Sequence, residues 1–336
     1  MKQCSCGQPV PRWGLYNACA ACVQEYLAAL PTRPGLSLAA WQHERYAVPA
    51  PIAVEPSIER VRLLNTSLDA VTLADTVELL GKYVDAGQPQ QIVTLNVDLI
   101  KIAQHNERFR AIVNTAALSV ADGTPLLWAA RWTGQHLPAR ITGTDLVLGA
   151  AQLAAERGET MFFLGAAPGV AAQAAAVVQQ QFPGVRISTY SPPMGRFSAD
   201  DNRRMVDLIW TSGAKYVFVA LGSPRGQIWL DEHLHQFGVP VCAEIGSVFN
   251  FLAGTVRRAP QWMQRSGLEW LYRIVQEPRR LWRRYILDDL PVFAEMLRQP
   301  LPGTDDARPA QEAAQVLAAY EPEAHDTLLE RAVGGV

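Results

Sequence analysis

The sequence predicts an α/β protein: a parallel sheet with helices on both faces, followed by a helical, arginine-rich appendage. Three observations carry this. Short apolar runs of strand character alternate with helical patterns between Arg60 and Ile245, and such alternation builds parallel sheets because each strand needs a crossover back to its starting edge. These runs end in glycine or a small polar residue just before a helix begins. Hydrophobic residues make up 49% of the 336 and charged residues 18%, enough to cover both faces of a sheet and too apolar for a disordered chain.

Gln91–Leu95 reads as the first strand, with a helix from Val97. Leu118–Ala121 is the next, and Thr124-Pro125 marks the helix start after it. Met161–Leu164 leads into the loop Gly165-Ala-Ala-Pro-Gly169 and an alanine-rich helix. Tyr216–Leu221 leads into Gly222-Ser-Pro224 and a further helix, and Val239–Ile245 into Gly246 and a short one. This core spans residues 59–255, and the appendage spans 256–298.

Four of the five cysteines, Cys4, Cys6, Cys19 and Cys22, lie in residues 1–30 as C-x-C, twelve residues, then C-x-x-C, before a short helix from Val23 to Leu30. Four clustered thiolates suit a structural zinc that folds a segment too small for its own core. The competing reading is free or redox-active thiols on an arm. Residues 31–58 hold five prolines and read as a linker. Residues 299–336, rich in Ala, Pro, Gly and Glu, read as a mostly disordered acidic tail. Cys242 falls in an apolar strand and reads as an inert core residue.

Basic and acidic residues nearly balance, 30 against 32, for a net charge of -2, which argues against a protein that coats nucleic acid. No apolar run reaches the length of a membrane span, and Met1–Cys6 lacks a signal-peptide core. The expectation is a cytoplasmic protein, soluble or peripheral on a membrane. Neither G-x-x-x-x-G-K-[ST] nor G-x-G-x-x-G occurs, which lowers the standing of a P-loop NTPase and of a dinucleotide dehydrogenase. No D-x-D occurs either, so a metal-dependent nucleotide-sugar site is not expected and no catalytic cofactor is assigned. His233 and His235, two apart on a predicted helix, do not share a face and read as surface residues.

In open α/β sheets ligands bind beyond the carboxyl ends of the strands, where helix N-termini favour a diphosphate. Thr94 and Asn96 close the first strand, Asp122-Gly123 follows the second, and the glycine loops follow the others. Asp122 could be a general base for a hydroxyl or a turn-capping aspartate. Asn96 could serve a ligand or cap its helix.

From Arg257 to Tyr285 there are eight arginines, two acids and three of the nine tryptophans. Apolar positions recur at helical spacing between the arginines, a basic amphipathic pattern that suits an anionic membrane surface and forked contacts to phosphate. An ordinary pair of surface helices is the plain alternative. Nucleic-acid binding ranks lower, since no nucleic-acid motif accompanies the patch.

The motifs Thr94-Leu-Asn96, Ala121-Asp122-Gly123, Leu137-Pro-Ala-Arg140-Ile-Thr-Gly143-Thr-Asp145, Phe163-Leu-Gly165, Leu221-Gly222-Ser-Pro224-Arg225 and Phe249-Asn-Phe-Leu-Ala-Gly254, continuing through Arg257-Arg-Ala-Pro260 to Leu268-Glu-Trp270-Leu-Tyr-Arg273, resemble the WecG/TagA/CpsF family of bacterial glycosyltransferases. They run in the family's order over roughly residues 62 to 294. The resemblance implies a Rossmann-like core with a membrane-binding appendage. It implies an inverting enzyme moving a hexose-type sugar from a UDP-sugar to a polyprenyl-diphosphate-linked saccharide, at the inner face of the cell membrane, for a surface polysaccharide. It places the catalytic aspartate on Asp122, the active-site threonine and asparagine on Thr94 and Asn96, and an arginine on Arg140. Diphosphate-holding arginines fall on Arg258, Arg265 and Arg273.

Gly143, Asp145, Gly165, Gly222, Pro224, Arg225, Gln227, Gly246, Asn250 and Arg257, on the same motifs and strand-end loops, are assigned to substrate binding. Two departures bear on the donor. The family's Gly-x-Pro-Lys-Gln-Glu reads Gly222-Ser-Pro-Arg225-Gly226-Gln227, and its Phe-Asp reads Phe249-Asn250. They motivate a second reading, an inactive nucleotide-sugar-binding scaffold. The cysteine region is a docking candidate for proteins of the same polysaccharide pathway.

Overall fold

The computed structural model describes residues 58–260, 262–263, 268–276 and 278–299. The cysteine segment with Cys4, Cys6, Cys19 and Cys22, nearly all of the proline-rich linker, Arg265 and nearly all of the tail lie outside the described residues.

Six parallel strands form one sheet in the order β4-β3-β8-β7-β5-β6. They are β3 (Gln90–Leu95), β4 (Leu118–Ala121), β5 (Thr160–Gly165), β6 (Arg186–Tyr190), β7 (Tyr216–Ala220) and β8 (Val241–Glu244). The register is parallel throughout, with Thr94 opposite Val120 and Val93 opposite Glu244. The chain leaves β3 for one edge, crosses to β5 and β6 at the other, and returns inward through β7 to β8. The connections therefore diverge around the centre of the sheet, where such folds open a crevice.

Strand residues alternate between two covering layers, as the two-residue period requires. Ile92, Phe163, Phe218 and Ala243 face α1 (Leu73–Ala86), α5 (Gly143–Arg157), α6 (Val170–Gln181) and α9 (Val248–Leu252). On the opposite face, Val93, Leu95 and Ala121 meet α2 (Val97–His105), α3 (Glu107–Thr115), α4 (Thr124–Trp132) and α12 (Leu290–Arg298). Phe162, Val217 and Cys242 meet α7 (Ala199–Ser212) and α8 (Arg225–Phe237) on that face. Cys242 is fully buried, and burial pushes its thiol pKa up, as an inert core cysteine requires. The appendage adds α10 (Glu269–Gln276), α11 (Pro278–Trp282) and a π-helical turn, Arg283–Asp289, that runs into α12.

The predicted strands fall within a residue or two of those found. Two strand features escape the sequence pattern, which also leaves α1, α3, α5 and α7 unplaced. The first is an antiparallel hairpin of β1 (Arg60–Leu63) and β2 (Thr66–Asp69), which is joined to β4 by a hydrogen bond from the Ser119 N–H to the Asp69 carboxylate at 2.7 Å. It covers the β4 edge without adding a strand to the six-stranded sheet. The second is β6, whose Arg-Ile-Ser-Thr-Tyr sequence lacks an apolar run because it is an edge strand, none of whose residues is buried. His233 is not a surface residue: it is partly buried, its Nδ1 lies 2.8 Å from the Trp229 carbonyl oxygen, its ring stacks on Trp229, and burial holds its pKa below the usual value.

Candidate active site

The crevice gathers side chains through backbone links at the strand ends. The Asp122 N–H donates to the Leu95 carbonyl at 2.6 Å, tying the end of β4 to the end of β3. Gly123, at φ 141°, turns the chain there in a conformation that favours glycine, so Asp122 sits at the start of α4. The Ile141 N–H donates to the Ala121 carbonyl at 2.8 Å, which brings Arg140 beside Asp122. Thr142 then caps α5: its hydroxyl accepts from the Asp145 N–H, and the Asp145 carboxylate accepts from the Thr142 N–H at 2.9 Å. Thr94 is buried on β3. Asn96 caps α2, its Oδ1 accepting from the Leu99 N–H at 3.0 Å.

Glu269 of α10 closes the cluster from above. Its carboxylate accepts a hydrogen bond from Arg140 at 3.1 Å and pairs with Arg258 and Arg273, each at 3.7 Å. Arg258 also reaches the Thr142 hydroxyl at 3.4 Å, and Arg273 lies over the Phe251 ring at 4.9 Å. Three guanidinium groups thus converge on one carboxylate that is only 14% exposed, a set of donors suited to an oxygen-rich anion. Burial pushes the Asp122 carboxyl up to about 6, Arg273 and Arg140 pull it down, and Glu269 and Asp145 push it up. A carboxylate with that pKa is ionised near neutrality and more basic than a solvated aspartate, as a general base should be.

A model of the WecG/TagA/CpsF glycosyl transferase family matches residues 61–306. The chain belongs to that family. It is similar to the N-acetylglucosaminyldiphosphoundecaprenol N-acetyl-beta-D-mannosaminyltransferase of Bacillus spizizenii strain W23, 33% identical over 204 residues, 61% of this chain and 77% of that protein. It is also similar to the protein of the same name from Staphylococcus aureus strain MW2, 28% identical over 237 residues, 70% of this chain and 90% of that protein. The protein is therefore a glycosyltransferase of cell-envelope polysaccharide synthesis. Among the described residues, no helix is long and apolar enough to cross a membrane.

A second network lies across the crevice of this transferase, on the loops after β7 and β8. Glu244 is buried, and its carboxylate accepts from the Gly222 N–H at 3.2 Å, the Gly246 N–H at 3.1 Å, the Ser223 hydroxyl at 3.1 Å and the Gln227 amide at 3.2 Å. Burial pushes its carboxyl up to about 7 against the pull of those bonds. The departures from the family motif have a physical reason here. A Cβ at position 226 would overlap the Glu244 side chain, so glycine stands there. Gln227 is 1% exposed and its amide also bonds the Ser223 hydroxyl at 2.9 Å.

The structure therefore brings together Thr94, Asn96, Asp122, Arg140, Gly143, Asp145, Arg258 and Arg273. Gly165 packs against the Ala220 backbone, and Gly222 and Gly246 shape the Glu244 loops. Pro224 opens α8. Gln227 is buried in the Glu244 network instead of lining the opening. Arg225 turns away to the Gly195 carbonyl at 2.7 Å and stacks over Phe197 at 3.9 Å. Asn250 accepts from the Thr255 hydroxyl at 3.1 Å, and Arg257 is exposed. Sequence reasoning missed Glu269 and Glu244. Glu269 stands four residues before Arg273, a helical ion-pair spacing. Glu244 ends a wholly buried strand, where an acid needs a reason.

Proposed function

We propose that this transferase moves a hexose-type sugar (N-acetylmannosamine, its uronic acid or a related hexose) from a UDP-sugar to a polyprenyl-diphosphate-linked saccharide, with inversion at the anomeric carbon. The observation that carries the reading is the Asp122 carboxylate set beside Arg140, Arg258 and Arg273 at the strand ends. The names of the relatives, N-acetylglucosaminyldiphosphoundecaprenol N-acetyl-beta-D-mannosaminyltransferases, support the acceptor class.

Asp122 takes the proton of the acceptor hydroxyl as its oxygen attacks the anomeric carbon. The bond from that carbon to the β-phosphate oxygen breaks, and UDP leaves with the electron pair. The arginines offset the charge that develops on the diphosphate, and no metal or other cofactor is assigned a role. Thr94 and Asn96 line the base side of the crevice. The appendage presents its exposed arginines, Arg257, Arg279 and Arg283, to an anionic inner membrane surface, which keeps the enzyme peripheral there. A structural zinc at the four N-terminal cysteines, and docking of pathway proteins on that segment, belong to the same reading.

The test is UDP release from a panel of UDP-sugars, with and without a short-chain polyprenyl-diphosphate saccharide. One donor should give acceptor-dependent release, and Asp122→Asn should lower it by about 10²–10⁴-fold with the fold intact. A folded Asp122→Asn protein of full activity would remove Asp122 from this role. Binding of UDP-sugar without transfer to any acceptor would favour the scaffold reading, for which the burial of Gln227 and the diversion of Arg225 speak.

A further inference from the structure

We propose that α4 is a second membrane-contact element, built into the core and separate from the appendage, which seats the crevice opening on an anionic bilayer. Trp128 and Trp132, one helical turn apart on α4, are 47% and 72% exposed. Tryptophan is seldom left so open on a monomer surface, and its amphipathic ring is at home at the water–lipid boundary. Arg131 lies exposed between them, and α4 has no acidic residue. Apolar rings edged by arginine, on a helix whose other face is buried, form the pattern of an interfacial helix.

Position supports the same occupant. α4 starts just after Asp122, so at about 1.5 Å per residue the two rings lie roughly 9 and 15 Å along the helix from the proposed base. The buried side of α4 packs through Leu126, Ala129 and Ala130 against Val292 and Met296 of α12. At the start of α12 and in the π-helical turn before it, Leu290, Leu287 and Ile286 are exposed as well. α4 and the appendage are therefore packed neighbours, and each carries exposed apolar residues of its own. Arg131 of α4 and the exposed Arg257, Arg279 and Arg283 of the appendage complement anionic headgroups, whereas a second copy of the chain would bring the same positive charge against itself.

This inference rests on the membrane-bound acceptor proposed above, so binding and transfer are measured separately. The full chain is sedimented with vesicles of phosphatidylglycerol mixed with phosphatidylethanolamine, and with phosphatidylcholine vesicles. Trp128→Ser/Trp132→Ser should lower partitioning onto the anionic vesicles about tenfold. Its transfer to a short-chain, water-soluble acceptor should be unchanged, and its transfer to a long-chain acceptor in the vesicles reduced. Trp132→Ser alone, at the more exposed position, gives a smaller drop without endangering the fold. Unchanged vesicle binding by both variants overturns the proposal. So does a wild-type dimer in analytical ultracentrifugation that the double variant dissociates, since the face then belongs to a second copy. Wild-type protein that binds vesicles through this pair yet transfers to neither acceptor upholds α4 as a membrane contact and removes the proposed reaction instead.

Discussion

Asp122 is held part-protonated near the acid side of neutrality by burial, and this links activity and stability in opposite directions. Transfer should rise with pH and reach half its maximum at about pH 6, because only the ionised carboxylate accepts the proton. Stability from this group runs the other way. Between the ordinary aspartate value of 3.8 and about 6 the native state holds a proton that the unfolded chain has released, so stability falls as pH rises through that window. Denaturation series across the window should show a shallower slope for Asp122→Asn than for wild type. Glu269 contributes to the same titration by raising the Asp122 pKa. Glu269→Gln should therefore move the midpoint of the rate profile below that of wild type, while Glu269→Ala, which lets three arginines repel one another, should raise the acceptor KM about tenfold. An unshifted midpoint in Glu269→Gln would place that carboxylate outside the field of the base.

The contact between α8 and β8 shows how one element constrains another. Gly226→Ala puts a methyl group into the Glu244 side chain and should destabilise by about 1–3 kcal/mol. Glu244→Ala strands the Gly222 and Gly246 N–H groups and the Gln227 amide, for about 2–4 kcal/mol. The double variant has no overlap left, so its loss should be smaller than the sum by about 1–2 kcal/mol, read from urea midpoints. Additive losses would mean that the two side chains do not compete for the same space. The sequence carried the five buried strands and the turns after them, because a strand covered on both faces is written as an apolar run. It did not carry the β1–β2 hairpin or β6, whose pairing depends on Asp69 reaching β4 and on an edge position. Of the site, Asp122, Thr94, Asn96 and the arginines were legible from their place at strand ends and in family motifs. The burial of Gln227 and the turning away of Arg225 were not, since both follow from where Glu244 and Phe197 lie in space.

At the scale of the whole molecule, the divergence of connections around β3 and β8 sets the crevice at one end of the sheet, and α4, α10 and the π-helical turn present arginine and tryptophan around that region. Net charge is -2 over the whole chain, yet residues 257–285 are strongly basic, so the attraction to a membrane is local. Binding to anionic vesicles should therefore weaken steeply as salt rises, since each arginine near such a surface contributes about 1 kcal/mol and is screened within a Debye length. Salt-independent partitioning would mean that apolar insertion alone holds the protein. The appendage was legible as charge and periodicity, but the seating of Glu269 among Arg140, Arg258 and Arg273, where its charge acts on Asp122, was not, because no local pattern says which arginines will share one carboxylate.

The overlap between position 226 and Glu244 also makes the two residues a single unit of packing. A side chain at 226 and a glutamate at 244 compete for one space, so each disfavours the other. A chain that carries a larger residue at the position of Gly226 is therefore expected to carry something other than glutamate at the position of Glu244, and the two should be exchanged together when either loop is redesigned.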